Sequence, residues 1–192
     1  MALSLVNLDE ATRRFMAQEI SRDLYLGALY ISPRLSVVGQ RDWPELLQSA
    51  ARHHDDVWLA NHLSLGNRLN EREPRRMLSG EMTTAKVPVT ANETLAEGEF
   101  NRFYARGLCL RAIANGAARL EVYRAKAVAI PRTDSPAMIG AAINPRALLD
   151  DLRTHPGIDT ALGLPPGPNS GLSVKLPQSK DAGAARLSAS AL

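Results

Sequence analysis

At 192 residues the chain is long enough for one domain with a sizeable core and too short for two ordinary domains plus a tail. A hydrophobic content of 45% with 22% charged residues excludes a wholly disordered chain, and only nine Phe, Trp and Tyr residues favour helices packed through Leu and Ala over a β-sandwich. A formal charge of +3 argues for solubility more than for nucleic-acid binding, and a single cysteine, Cys109, excludes an intrachain disulfide and a CxxC pair.

The first element is expected at Asn7-Leu-Asp-Glu10, which reads as a capping box with Asn7 as N-cap. Phe15, Met16, Ile20 and Leu24 follow at helical spacing as the buried face, with Arg13, Arg14, Glu19 and Arg22 mostly opposite, and the helix closes near Gly27. Ala28 to Val38 is rich in β-branched and aromatic residues but broken by Pro33, so it reads as an edge strand or a strand pair. Asp42-Trp-Pro-Glu45 is a second capping box, in which Pro44 suits a first helical turn; Leu46, Leu47, Ala50 and Ala51 would face the core behind it. After His53-His54-Asp55-Asp56 a third helix spans Val57 to Leu65 and closes at Gly66. A short helical piece is expected after Asn70, then an extended segment over Thr83 to Thr90.

Thr94-Leu-Ala-Glu97 is a third capping box, and Phe100, Phe103, Tyr104, Gly107, Leu108, Arg111 and Ala112 give a long amphipathic helix ended by Gly116. Leu120 to Val128 reads as a strand. Asn144-Pro145 places proline at the first position of a last helix, with Leu148, Leu149 and Leu152 buried. Beyond it, ten of the 38 residues from His155 to Leu192 are Gly or Pro, and no period survives. The expectation is an α+β fold, predominantly helical: one compact domain over 1–154 with a few short strands, and an irregular extended arm over 155–192. Within the arm only Leu172-Ser-Val-Lys-Leu176 can add as a strand elsewhere, which makes Leu172, Val174 and Leu176 its contact residues.

The clearest charge asymmetry lies between residues 102 and 132, where Arg102, Arg106, Arg111, Arg119, Arg124, Lys126 and Arg132 face one acid, Glu121. With Tyr104 and Tyr123 interleaved, this unit could bind a phosphate backbone or an acidic protein surface, or its arginines could pair with carboxylates of the N-terminal helices. Adjacent positions in the His53–Asp56 cluster point about 100° apart on a helix, so they cannot converge on one ion, and a polar helix junction with Asp55 or Asp56 as N-cap is the plainer reading. Cys109 has no histidine nearby in sequence and reads as a buried structural thiol. Glu121-Val-Tyr-Arg-Ala-Lys126 has the wrong spacing for a Glu-x-Lys nuclease strand, and no phosphate loop, dinucleotide fingerprint, nucleophile elbow or kinase signature is present. No cofactor is implied.

The stretch Glu99-Phe-Asn-Arg-Phe-Tyr-Ala-Arg-Gly-Leu-Cys-Leu-Arg-Ala-Ile113, continued by Leu120-Glu-Val-Tyr-Arg-Ala-Lys126, resembles uncharacterised proteins of bacterial and phage genomes. The likeness implies a phage-associated setting and brings no activity or site residue with it. Two expectations follow. One is a non-catalytic assembly subunit, homo- or hetero-oligomeric, docking through the basic unit and the arm; the other is a small nucleic-acid-binding module on the basic face. With neither a secretory leader nor an apolar run of membrane-spanning length, the expected location is cytoplasmic, or the virion for a phage-derived chain, with no membrane partner.

Overall fold

Asp9, not Asn7, caps the first helix, because its carboxylate accepts the Thr12 amide at 3.1 Å. Asn7 is engaged elsewhere, its side-chain oxygen accepting the Leu176 amide at 2.9 Å. The computed structural model describes residues 2–77, 79–127, 135–156 and 171–177. Among them helix α1 runs Glu10–Tyr25, α2 Val37–His53 and α3 Asp56–Ser64. Strands β1, Arg72–Arg76, and β2, Met82–Lys86, follow, then the long helix α4, Ala91–Ala114. Strand β3 is Leu120–Arg124, α5 is the short Ser135–Met138, β4 is Ala142–Ile143, α6 is Pro145–Thr154 and β5 is Leu172–Lys175. The fold is α+β and mostly helical.

Helix α4 is the spine. It packs against α1, α3 and α6, and it is buried over most of its length, from Leu95 through Phe100, Phe103, Tyr104 and Leu108 to Ala112. The approach of α1 is close because position 107 is glycine: a Cβ there would lie 2.8 Å from the Met16 backbone nitrogen. The helix starts three residues before the expected box. Thr90 is its N-cap without a side-chain bond, and the Thr94 hydroxyl instead donates to the Thr90 carbonyl at 3.0 Å. Gly116 closes it at φ +68, the left-handed region that a side chain resists.

Several local expectations give way to tertiary packing. No strand forms over 28–36; Leu35 makes only an isolated bridge to Leu69, and α2 starts at Val37, capped by the Ser36 hydroxyl on the Gly39 amide at 3.1 Å. Pro44 therefore lies inside α2 and not in its first turn, so the Gln40 carbonyl receives no amide from position 44. Burial of Trp43, Leu47, Ala50 and Ala51 favours the continuous helix all the same, and the Trp43 indole donates to the Tyr30 carbonyl at 3.0 Å. Within α1, Leu24 is exposed and Glu19 buried, the reverse of the expected pattern. The piece after Asn70 is strand β1, not a helix. The last helix forms as expected: the Asn144 side chain accepts the Arg146 and Ala147 amides, with Pro145 behind it.

Two sheets are present among the described residues. Strands β1 and β2 form an antiparallel hairpin pairing Arg72 with Lys86 and Arg76 with Met82. The other sheet is antiparallel in the order β4-β3-β5, with Val122 opposite Val174. Residues 172–175 thus complete the chain's own sheet. Leu172 and Val174 are 1% exposed, and Leu176 packs half-buried against the same core. A boundary at 154 therefore does not separate this strand from the domain; Val128 and Arg132, and within the arm residues 157–170 and 178–192, lie outside the described residues.

Candidate functional site

The basic residues of 102–126 do not gather on one surface. Arg106, 1% exposed, is held between Glu19 at 2.6 and 2.8 Å and Asp23 at 2.5 and 2.8 Å, with its guanidinium 4.8 Å from the Phe103 ring centre. Burial works against its charge, and the two carboxylates of α1 outweigh it. Arg102 is also buried; it donates to the carbonyls of Leu152 at 3.2 Å and His155 at 2.8 Å and lies 3.4 Å from Glu99. Arg111 bonds both Asp9 carboxylate oxygens, at 2.7 and 2.8 Å, and the Thr12 hydroxyl. Lys126 pairs with Glu97. Arg119 is exposed and Arg124 half-buried, and both have partners. Four of the six described cations thus lock α4 and the strand after it to acidic or carbonyl groups.

The buried cluster extends further. Arg153 of α6 joins Glu19 at 2.5 Å, so this carboxylate ties three helices together. Burial pushes the Glu19 carboxyl up, but Arg153 and Arg106 outweigh it and hold it below the ordinary value. Glu99 goes the other way. It is 4% exposed, one of its oxygens has no hydrogen-bond partner, and burial raises its carboxyl despite Arg102.

The two tyrosines are engaged with the N-terminal segment. The Tyr104 hydroxyl accepts the Asn7 amide at 3.2 Å, and the Tyr123 hydroxyl accepts the Val6 amide and donates to the Ser4 carbonyl at 2.8 Å. Burial pushes the Cys109 thiol up to about 12, which removes its thiolate at neutral pH. The histidines stack: Trp58 lies between the rings of His54 and His62, at 4.2 and 3.7 Å between centroids. Asp55 caps α3 through the Trp58 amide at 2.8 Å, the polar junction expected there. Among the described residues no three His, Cys, Asp or Glu side chains come together as a metal site.

The hairpin supplies cations of a different kind. Residues directly opposite in an antiparallel pair share a face, so Arg72, Pro74, Arg76, Met82, Thr84 and Lys86 lie on one side, and all six are exposed. Arg72 donates to the Thr84 carbonyl at 3.0 Å and Arg76 to the Gly80 carbonyl at 3.3 Å, contacts that leave other donors of each guanidinium open. Glu73 and Ala85 are half-buried on the reverse side. There Glu73 takes two hydrogen bonds from Arg34, at 2.6 and 3.2 Å, which anchor the ribbon to the loop before α2. The sequence signal was Ser79-Gly80 between two polar runs, a turn dipeptide whose flanks were masked by Pro74.

No family model, curated protein or solved structure matches this chain. Among the described residues no helix is long and apolar enough to cross a membrane.

Proposed function

We propose that the chain is a non-catalytic assembly subunit that docks on its partner through the β1–β2 hairpin. One observation carries this reading: a two-stranded ribbon, solvated along one whole face and tied to the body at its base. An isolated two-stranded hairpin is marginal in water, and a partner that covers it supplies the missing burial. Arginine and methionine, abundant in Arg72, Arg75, Arg76, Met77 and Met82, are residue types enriched where proteins meet. The basic residues 102–126 serve this reading indirectly, by holding the platform from which the hairpin projects.

The test is light scattering after size-exclusion chromatography, at low and high salt. It compares the intact chain with a variant whose residues 73–85 are replaced by Gly-Gly, joining the opposed Arg72 and Lys86. Larger species that vanish with the hairpin support the reading. The same monomer from both chains overturns self-assembly through it.

A further inference from the structure

We infer that the outer face of the hairpin is a docking face for duplex DNA, which it meets along the phosphate backbone. This deepens the docking reading and rests on it. Arg72, Arg76 and Lys86 share that face, and it holds no carboxylate. Arg75 projects from the reverse side, and the one acid within the paired strands, Glu73, is occupied by Arg34. None of Arg72, Arg75, Arg76 and Lys86 has a carboxylate partner among the described residues. Elsewhere in the chain, Arg106, Arg111 and Lys126 are matched to carboxylates.

A face of one sign fits a uniformly charged polymer. Arginine is enriched at protein interfaces and lysine depleted there, whereas both contact phosphate, so the pairing of Lys86 with Arg72 on this face favours the nucleic acid. Duplex DNA carries one negative charge per roughly 1.7 Å of its axis. The paired Arg72 and Lys86 stand about 5 Å apart across the ribbon, and Arg76 lies about 13 Å further along the strand. The array therefore meets two separate stretches of phosphate. Thr84, between them on the same face, supplies a hydroxyl donor to phosphate or sugar oxygen. Shape agrees with charge, because the major groove of B-form DNA admits a two-stranded ribbon and the deep, narrow major groove of A-form RNA does not. The anchoring of Arg72 and Arg76 on backbone carbonyls limits the side-chain freedom lost on contact.

The experiment is fluorescence anisotropy of a labelled, arbitrary-sequence 24-base-pair DNA duplex titrated with the full chain between 50 and 200 mM salt. Three phosphate contacts give a log–log salt slope of about −2.7, hence about a 40-fold loss of affinity across that range. The variant Arg72→Ala/Arg76→Ala/Lys86→Ala is expected to lose binding at 50 mM salt while keeping its circular dichroism and melting temperature. A control with the same loss of charge, Arg14→Ala/Arg52→Ala/Arg146→Ala, is expected to bind within about twofold of the parent, since exposed charges far from the contact are screened. No binding at 50 mM salt, equal loss in both variants, or unchanged binding by the hairpin variant overturns the inference. Equal competition by polyglutamate overturns it in favour of an acidic protein surface, and an equally tight A-form RNA duplex overturns the groove fit. Assembly that needs the hairpin but not its three cations, with no DNA bound, overturns the DNA partner and leaves the docking reading standing.

Discussion

Arg106 and Glu19 lie 87 positions apart in the chain and meet through two hydrogen bonds of 2.6 and 2.8 Å in the contact between α4 and α1. Both are 1% exposed, so neither charge is compensated by water. Removing Arg106 leaves Glu19 with Arg153 alone and the buried Asp23 with only Arg22 beside it. Arg106→Ala is therefore expected to destabilise the fold by about 3–5 kcal/mol, measured by urea unfolding. A loss within experimental error would show that water enters the site.

The same cluster sets an acid response. Glu19 is held below its ordinary value of 4.5, so its stabilisation is complete above that pH and is lost as pH falls through the lowered value. Glu99, raised by burial, works in the opposite sense: its ionised form costs stability above the raised value, and that cost disappears on acidification. Glu19→Gln should be less stable than the parent at neutral pH and show a flatter loss of stability below pH 4.5, which unfolding curves at stepped pH would reveal.

Two glycines are fixed by close approach. A Cβ at Gly107 would meet the Met16 backbone nitrogen at 2.8 Å and the Met16 Cγ at 2.9 Å; one at Gly39 would overlap the Arg68 carbonyl oxygen at 2.0 Å. Gly107→Ala is expected to cost about 1–3 kcal/mol, the range for overpacking. Gly39→Ala should cost more, because both obstacles include backbone and the one at Gly39 is far closer, 2.0 Å against 2.8 Å. Thermal unfolding of the two variants gives the order directly.

Strand β5 is structural. The Asn101 amide donates to the Leu172 carbonyl at 2.9 Å, and the Ser173 hydroxyl donates to Asn101 Oδ1 at 2.6 Å. Leu172→Ala should destabilise by about 2–5 kcal/mol, and a chain ending at Arg153 should lose cooperative unfolding as well as β5. A truncated chain with the parent's melting temperature would contradict this.

Hydrogen exchange tests the hairpin's anchor. Glu73→Gln removes the charge that Arg34 grips, while a partly exposed ion pair contributes at most about 1 kcal/mol to the whole fold. The amides of β1 and β2 should exchange faster in the variant, with the melting temperature almost unchanged.

What the sequence made legible was local. Asn144-Pro145 carries its helix start within four residues, and the apolar spacing from Phe100 to Ala112 is that of the buried face of α4. Asp42-Trp-Pro-Glu45 has the same local form, yet Trp43 and Leu47 find their burial only if the helix already exists upstream, and Gly39 admits that start by lying on Arg68. The basic stretch of 102–132 was visible as charge but not as a site. The partners of Arg106 lie on α1 and those of Arg111 at its N-cap, separations that no local pattern encodes. The hairpin was half-visible: an extended segment was expected over Thr83 to Thr90, of which the strand takes only the part to Lys86, while Pro74 hid the strand opposite.

Strand order in the small sheet bears on how the chain is made. β3 is the central strand, and both of its neighbours, β4 and β5, come later in sequence. During synthesis at about 5–20 residues per second, the two edges of β3 stay open for on the order of several seconds after Arg124 has been added. Through that interval Leu120 and Val122, which end fully buried, lie in a strand with neither sheet partner in place. Nascent chains stalled between β3 and β4 would thus expose both edges of β3 and those stalled between β4 and β5 only one, and this sheet closes with the docking of four residues, Leu172–Lys175.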